Sequence, residues 1–335
     1  MITIYHVYGR FIERYSKFKG FWGLALRGAF GVALRNITCK HEFDECKNCP
    51  EYKECVYARM FESSSLIKPS AKIAAVSGLE GVTNPYTLFP LYADGNKISF
   101  ILSVFGEACD YENALIVAIM GAGIEGIGYD VSKATRRRFL IERIEKYTPL
   151  DGERHHVIFN TDVGYRFKDL PRTKNLLDAF EKEANIILDE KPSDILLFFK
   201  SPFRIAVNGI FTYRPSMEGI IMNLSRKYSM LCEYHDAGVP FALSEARGIK
   251  MAARKVRLTY YVIGKRIRLR KVDMRGNIKN FGEFALQGAF TYSIPSDFWK
   301  SEHAETVIRL LLLGRYLHVG KLTTAGCGKY EIFTR

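Results

Sequence analysis

Long apolar runs are missing from this chain. The run Ala114–Met120 is among the longest, and it is far shorter than the roughly 18 residues that a membrane span needs. The N-terminus also lacks the basic segment followed by an apolar segment that marks a secretory signal peptide. We therefore expect a soluble, cytoplasmic protein with no membrane partner.

Acidic residues are in the minority. The chain has 36 Asp and Glu against 49 Lys and Arg, which gives a formal net charge of +13. Such an excess on a globular chain favours polyanionic partners, with nucleic acid first. With 47% apolar residues among 335, the chain can build packed cores in about two domains, which excludes a disordered protein.

A P-loop is also absent, although two segments are rich in glycine. Gly121–Gly128 and Gly320–Gly328 both lack a Gly-Lys-Ser/Thr ending, and each is predicted between a helix and the following strand. Such loops let the backbone approach a phosphate or another backbone closely, or are simply tight turns. The second segment has side chains beside it that can contact phosphate oxygens: His318, Lys321, Thr323, Thr324 and Lys329.

Four of the seven cysteines crowd into one short polar segment, at Cys39, Cys46, Cys49 and Cys55. In a reducing compartment, thiols at this spacing are more typical of metal ligands than of disulfides. The pattern favours a structural four-thiolate zinc site; an iron–sulfur cluster, a disulfide and no metal at all are the alternatives. A site filled by four sulfurs leaves no open position for substrate, so no catalytic metal is expected.

The two halves of the chain repeat one order of elements. The first half predicts strands at 2–7, 86–92, 97–105 and 136–147 with helices at about 20–37 and 111–120, and the second predicts strands at about 194–207, 255–263, 281–293 and 329–333 with helices at about 217–234 and 301–316. This is the order of the ferredoxin-like (RRM-like) fold, so we expect an α+β protein with two such βαββαβ domains, each ending in a glycine-rich loop. The predicted domains are 1–150, with the cysteine loop 39–55 inserted, and 191–335, joined by a polar connecting segment at 151–190.

The most basic part of the chain lies between Arg247 and Arg275, where eleven Lys and Arg accompany a single acid, Asp273. Alternation with period two places Lys255, Arg257, Thr259 and Tyr261 on one strand face, and Arg266, Arg268 and Arg270 alternate with apolar residues in the same way. We interpret this stripe, together with Arg254, as a surface for a nucleic-acid backbone. A solvated edge strand protected by charge is the alternative.

Several motifs resemble the Cas6 family of RAMP proteins, the CRISPR-associated endoribonucleases that cut precursor CRISPR RNA within its repeats. They are Leu26-Arg-Gly-Ala-Phe-Gly31, Tyr57-Ala-Arg-Met-Phe-Glu62, Lys200-Ser-Pro-Phe-Arg204, Phe284-Ala-Leu-Gln-Gly-Ala-Phe290 and, most specifically, His318–Tyr330 with its terminal glycine-rich loop. In that loop Cys327 stands where an aromatic or other apolar residue is usual, and His318 where many members have glycine.

The resemblance implies a pair of ferredoxin-like domains and a metal-independent cleavage of CRISPR repeat RNA by its own 2′-hydroxyl. Such chemistry needs a base, an acid and a cation beside the phosphorus. His41 occupies the neighbourhood where the family's catalytic histidine often lies, and Tyr57 and Arg59 are the candidates to assist it. A loop histidine that caps or ligates the metal is the alternative for His41, and a core aromatic residue is the alternative for Tyr57. His6 is predicted as a core histidine and His155 and His156 as surface residues. The candidate RNA-binding residues are Arg254, Lys255, Arg257, Arg266, Arg268, Arg270, His318, Gly320, Lys321, Thr323, Thr324, Gly326 and Gly328.

Two other functions stay open at this point. A non-catalytic subunit that holds CRISPR RNA as a scaffold among CRISPR effector-complex proteins predicts the same fold and charge, but binding without cleavage. An iron–sulfur redox protein predicts a coloured preparation, and nothing in the sequence besides the cysteines supports it.

Overall fold

A computed structural model describes residues 1–15, 17–18, 20–41, 45–70, 82–130, 132–207, 209–272 and 278–335 of the chain. The described structure divides into two compact units. Unit 1 comprises Met1–Leu176 with Met230–Gly238, and unit 2 comprises Leu177–Ser229 with Val239–Arg335. The predicted connecting segment 151–190 is thus shared between the two units.

Unit 1 contains a six-stranded antiparallel sheet and two main helices. Its strands are β1 (Ile2–Phe11), β2 (Tyr86–Asp94), β3 (Lys97–Phe105), β4 (Ile127–Asp130), β5 (Thr135–Arg137), β6 (Phe139–Tyr147), β7 (His156–Asn160) and β8 (Gly164–Tyr165), and its helices are α1 (Gly23–Thr38) and α2 (Glu112–Glu125), with shorter helical turns at Cys46–Asn48, Ala58–Glu62, Ser63–Leu66, Gly106–Tyr111 and Pro149–Asp151. The sheet order is β2-β3-β1-β6-β7-β8, and β4 pairs with β5 separately.

Unit 2 repeats the plan. Its elements are α3 (Glu181–Glu190), β9 (Asp194–Phe199), β10 (Ile205–Val207), β11 (Ile210–Thr212), α4 (Met217–His235), α5 (Leu243–Lys255), β12 (Arg257–Ile263), β13 (Arg266–Val272), β14 (Ile278–Ala285), β15 (Gly288–Ser293), α6 (Ala304–Leu317) and β16 (Tyr330–Thr334), with helical turns at Leu176–Phe180 and Thr323–Ala325; the last residues of α4 belong to unit 1. The main sheet has the order β12-β15-β9-β16.

Both sheets place the four strands of the βαββαβ motif in the same order: second, third, first, fourth. In unit 1 the core lies between the helices and one sheet face, because alternate residues of β1 such as Tyr5 and Val7 join residues of α1 and α2 in one apolar cluster. The tandem ferredoxin-like α+β fold predicted from the sequence is therefore confirmed. No helix of the described residues has the length and apolarity that a membrane span needs.

The first predicted glycine-rich loop was wrong, since α2 continues through most of it to Glu125. Gly121 and Gly123 serve close packing inside this helix. A Cβ at Gly121 would lie 3.0 Å from the Cβ of Ala33 on α1, and one at Gly123 would lie 2.3 Å from the carbonyl oxygen of Phe139 on β6. Glycine is used here to bring a helix close to its neighbours and not to shape a loop.

Three other boundaries differ from prediction in unit 2. Residues 243–255 form helix α5, so Lys255 ends a helix instead of opening a strand. The strand predicted over 194–207 ends at Phe199, before Pro202, and the basic region contributes a separate hairpin, β13–β14. Proline cannot donate a ladder hydrogen bond, which explains the break at that point.

Candidate nucleic-acid interface and catalytic residues

The glycine-rich loop Gly320–Gly328 folds tightly against the segment that follows β9. Gly320, Gly326 and Gly328 have φ of +87°, +92° and +78°, a region that favours glycine. A Cβ at Gly320 would lie 2.3 Å from the carbonyl oxygen of Arg204. At Gly320, glycine is therefore required by the approach of one backbone to another.

The backbone amides of the three loop glycines donate hydrogen bonds within the protein. The N–H of Gly320 donates to Oδ1 of Asn223 at 2.9 Å, that of Gly326 to the carbonyl of Thr323 at 3.0 Å, and that of Gly328 to the carbonyl of Pro202 at 2.9 Å. These amides are not oriented to receive a phosphate. Among the side chains of the loop, that of Lys321 is exposed and those of Thr323 and Thr324 are half-buried.

His318, which precedes the loop, is buried with 2% of its surface exposed, so a phosphate cannot reach its side chain in this structure. Burial, together with the charges of Lys329 and Lys227, lowers its pKa, so the imidazole is neutral. Nζ of Lys227, on α4, donates to the carbonyl of His318 at 3.0 Å and lies 3.4 Å from Oγ1 of Thr323. The buried Lys227 thus bonds both to the loop and to the residue that precedes it.

Lys227 was not among the predicted site residues, although the sequence carries a signal for it. It stands in the apolar stripe of α4, at helical spacing from the buried Leu224 and Leu231. Burial, aided by the charges of Lys321 and Arg226, lowers the pKa of Lys227 to about 7. A lysine with such a pKa can bind an anion or transfer a proton near neutral pH.

The predicted basic stripe is distributed over three elements. Arg254 and Lys255 belong to α5, where Arg254 pairs with Glu218 at 2.8 Å and Lys255 with Asp297 at 2.9 Å. Both cations thus already have acidic partners within the protein.

On β12 the predicted alternation of faces was wrong beyond Leu258. A bulge at Thr259 shifts the register, so Tyr260 pairs with Thr291 and shares a sheet face with Arg257. Tyr260 and Val262 are consequently 64% and 52% exposed, whereas Tyr261 turns toward the core beside Phe290. An exposed aromatic ring next to Arg257 is a surface on which a base can stack.

On β13 the alternation holds. Arg266, Arg268 and Arg270 are exposed, and Leu269 between the last two is buried. Arg266 lies over the ring of Tyr213 at 4.6 Å, and Arg268 is 3.6 Å from Glu283. This hairpin presents cations along one edge of unit 2, as contacts with a phosphate backbone require.

The three residues predicted to be catalytic are each held by a different carboxylate. Nε2 of His41 lies 3.4 Å from Glu51, and Nε of Arg59 donates to Glu107 at 2.8 Å. The hydroxyl of Tyr57 is 3.4 Å from Glu62, and its ring stacks on Phe61 with centroids 5.4 Å apart. Burial and the charge of Glu62 raise the pKa of Tyr57, which gives it the character of a core aromatic residue.

The four predicted metal ligands are half-buried thiols that do not close around one point. Burial is the main cause that raises the pKa of Cys46, and Cys39 and Cys55 are near enough to contribute. Cys46 and Cys49 form a tight turn, with the N–H of Cys49 donating to the carbonyl of Cys46 at 3.0 Å. In the part of the chain that the structure describes, no three of these sulfurs lie within 4.8 Å of one another.

Comparisons with known proteins assign both halves of the chain. The model of the CRISPR-associated endoribonuclease Cas6 family matches residues 197–330, and a family model described as the AF_1859 N-terminal domain matches residues 2–170, half of the chain. The chain belongs to the Cas6 family. Its first half is an N-terminal domain of the AF_1859 type.

Solved Cas6 structures share the fold along the whole chain. A product complex of Cas6 (TTHB231) is 13% identical over 99% of this chain and 100% of that one, with a TM-score of 0.54. Thermus thermophilus Cas6 (TTHB231) is 12% identical over 99% and 98%, with a TM-score of 0.50. No curated protein matches the chain.

Membership in the Cas6 family makes the chain an endoribonuclease that processes CRISPR repeat RNA. The Cas6 match begins in β9 and ends at Tyr330, so it contains β12, β13 and the whole glycine-rich loop. A non-catalytic scaffold is not favoured, since the matching family is one of endoribonucleases. His41, Tyr57, Arg59 and the cysteine loop lie in the other half of the chain, outside that match.

Proposed function

We propose that this Cas6-family protein cleaves CRISPR repeat RNA without a catalytic metal. The 2′-hydroxyl attacks the adjacent phosphorus, and the products are a 2′,3′-cyclic phosphate and a 5′-hydroxyl. The observation that carries the proposal is the Cas6 match over residues 197–330, which ends on the glycine-rich loop. The exposed cations of β12 and β13 support an RNA substrate, because backbone phosphates bind such side chains.

The RNA-binding surface in this proposal is formed by Arg257, Arg266 and Arg270 with Lys321 at the loop. The glycines of the loop contribute shape, and Lys227 and His318 support it from the interior. The assignment of Arg254 and Lys255 to RNA requires that they leave Glu218 and Asp297. Association with other CRISPR effector-complex proteins stays a prediction.

The assignment of His41, Tyr57 and Arg59 to catalysis also stays a prediction. His41 is the member of the three that is best suited to exchange a proton, because the ring of Tyr57 packs against the core and Arg59 is bound to Glu107. The substitution His41→Ala tests it directly.

A structural zinc ion held by Cys39, Cys46, Cys49 and Cys55 is proposed as well. The donor set suits zinc, and the turn at Cys46 and Cys49 can supply two ligands. At least two of the sulfurs must move closer to the others to complete a tetrahedral site, so metal binding and the folding of this loop are expected to be coupled.

The test of the reaction uses the purified protein and a labelled CRISPR repeat RNA in EDTA, beside a copy with 2′-deoxyribose at the cut position. We expect one cut in the ribose substrate and none in the deoxy substrate, since the nucleophile is then missing. Tight binding without cleavage of either RNA would contradict the proposal.

A further inference from the structure

Five polar side chains that are far apart in the sequence meet on one face of the sheet in unit 1. The core residues Tyr5 and Val7 point toward the helices, so the alternate side chains of β1 point to the opposite face. Strand register places the members on β1 directly beside those on β6. We name this group the sheet-face cluster: His6, Tyr8, Arg143, Glu145 and His155.

Within the sheet-face cluster, His155 and Glu145 form a hydrogen-bonded pair. Nδ1 of His155 lies 2.7 Å from Oε2 of Glu145, and the imidazole stacks on Tyr147 with centroids 4.2 Å apart. The His155 side chain is 40% exposed and that of Glu145 only 7%. With Nδ1–H donating to the carboxylate, Nε2 becomes the basic nitrogen, and no described residue bonds to it. A histidine held in one tautomer by a carboxylate is the usual arrangement of a general base.

Glu145 is ionised in this arrangement. Burial by itself would raise its pKa, but the hydrogen bond from His155 and the charge of Arg143 lower it. The guanidinium of Arg143 bonds to Oε1 of the carboxylate and is 51% exposed. An exposed cation thus lies beside the histidine–carboxylate pair.

Tyr8 supplies a hydroxyl at the same place. Its oxygen is 2.9 Å from Nδ1 of His6 and 3.3 Å from Oε2 of Glu145, and Nε2 of His6 lies 2.9 Å from Oγ of Ser99. Burial and Glu145 raise the pKa of Tyr8 to about 12, so the hydroxyl keeps its proton at neutral pH. Burial lowers the pKa of His6, which stays a neutral partner that positions Tyr8.

We propose that the sheet-face cluster is the acid–base centre of RNA cleavage, an inference that rests on the proposed function. His155 is the base, Tyr8 is the acid and Arg143 is the cation beside the phosphorus. Glu145 and His6 are positioning residues.

The step balances without a co-reactant. Nε2 of His155 takes the proton of the 2′-hydroxyl as the 2′-oxygen forms its bond to phosphorus. The bond from phosphorus to the 5′-oxygen breaks, and that oxygen takes the proton of Tyr8. Arg143 stabilises the charge on the non-bridging oxygens, and the imidazolium then returns its proton to the tyrosinate through solvent.

Two comparisons favour this cluster. His41, Tyr57 and Arg59 are each bound to a separate carboxylate, whereas the cluster joins a base, an acid and a cation around one. A metal site is the alternative at this place, because potential ligand atoms of His6, Glu145 and His155 lie within 4.8 Å of one another. The cation Arg143 on the same carboxylate opposes a metal and suits an anionic transition state.

Single-turnover cleavage of the repeat RNA in EDTA tests the proposal. His155→Ala is expected to lower the rate by about 100-fold or more, the usual size of a general-base contribution, with RNA affinity unchanged. Glu145→Gln is expected to lower the cleavage rate with RNA affinity unchanged, because Nδ1–H of His155 and the guanidinium of Arg143 lose their anionic partner. His156→Ala, which changes the adjacent histidine beside Asp151, is the matched control and should cleave as wild type does.

The outcomes separate the two proposals. Absence of cleavage by the wild-type protein overturns both. Normal cleavage by His155→Ala, with loss in His41→Ala, overturns the cluster and leaves the reaction standing. Cleavage that appears only when zinc replaces EDTA identifies a metal site and overturns the acid–base assignment. If His155→Ala does not fold, the nearly isosteric Glu145→Gln decides, since a wild-type cleavage rate in that variant contradicts the proposal.

Discussion

At the scale of single residues, Lys227 makes a measurable prediction because it is buried with no ion-pair partner among the described residues. Its pKa is about 7 in the folded protein against an ordinary 10.5. Between these pH values the unfolded chain binds the extra proton, so the free energy of unfolding rises with pH, by at most about 1.4 kcal/mol per unit. Below pH 7 both states are protonated and this contribution is constant.

Lys227→Met is therefore expected to remove this rise. Urea unfolding of both proteins at about pH 6.5 and about pH 9 measures it, and other titrating groups cancel in the difference. Lys182→Met, which changes an exposed lysine on α3 that does not contribute to the pKa of Lys227, is the control and should follow the wild-type curve. Parallel curves for wild type and Lys227→Met would show that the lysine does not titrate in this range.

The backbone conformation of single residues is predictable from the sequence where a motif surrounds them. The glycines of the terminal loop were recognised by spacing, and their positive φ angles agree with that reading. The sequence predicts His6 in a core and His155 on the surface, because no local sequence pattern shows that strand pairing brings both histidines near Glu145. Predicting contacts between strands that are distant in sequence requires their register, and the register cannot be read from the sequence alone.

At the scale of elements, helix α2 illustrates how composition can mislead. Three glycines within 121–126 suggested a loop, but two of them lie in the helix at its contacts with α1 and β6. Local propensity disfavours glycine in a helix by about 1 kcal/mol, and close packing overrides it here. The repeated strand order was predictable because it depends on periodicity, and the additional helix α5 and the β12 bulge were not.

Alanine substitutions measure this packing. Gly123→Ala is expected to destabilise the protein by about 1–3 kcal/mol, because the new methyl group meets the carbonyl of Phe139. Gly121→Ala, whose neighbour is the Cβ of Ala33 at 3.0 Å, should cost less.

Gly28→Ala is the matched control on α1, where a Cβ meets nothing within 4 Å. It is expected to stabilise the protein by about 0.5–1 kcal/mol through helix propensity alone. Denaturant unfolding gives all three values, and a stabilised Gly123→Ala would contradict the close approach of α2 to β6.

At the scale of the whole molecule, the net charge of +13 counts every Lys and Arg, including those already paired with acids. We expect only the cations without an internal partner to neutralise phosphates of RNA. Arg254 is bound to Glu218 by two hydrogen bonds, at 2.8 and 3.1 Å, whereas Arg257 and Arg270 form no ion pair with the described residues. Total charge therefore overstates the number of phosphates that the protein can neutralise.

Salt dependence distinguishes the two kinds of arginine. For single-stranded RNA, each lost phosphate contact lowers the slope of log affinity against log salt by about 0.7. Arg257→Ala/Arg270→Ala is thus expected to weaken binding and to reduce the slope by about 1.4 if each arginine neutralises one phosphate. Arg254→Ala should leave the slope unchanged, because its charge is already compensated by Glu218. Equal slopes for all three proteins in a titration of repeat RNA from low to high salt would remove Arg257 and Arg270 from the interface and leave Arg266 and Lys321 as its remaining proposed cations.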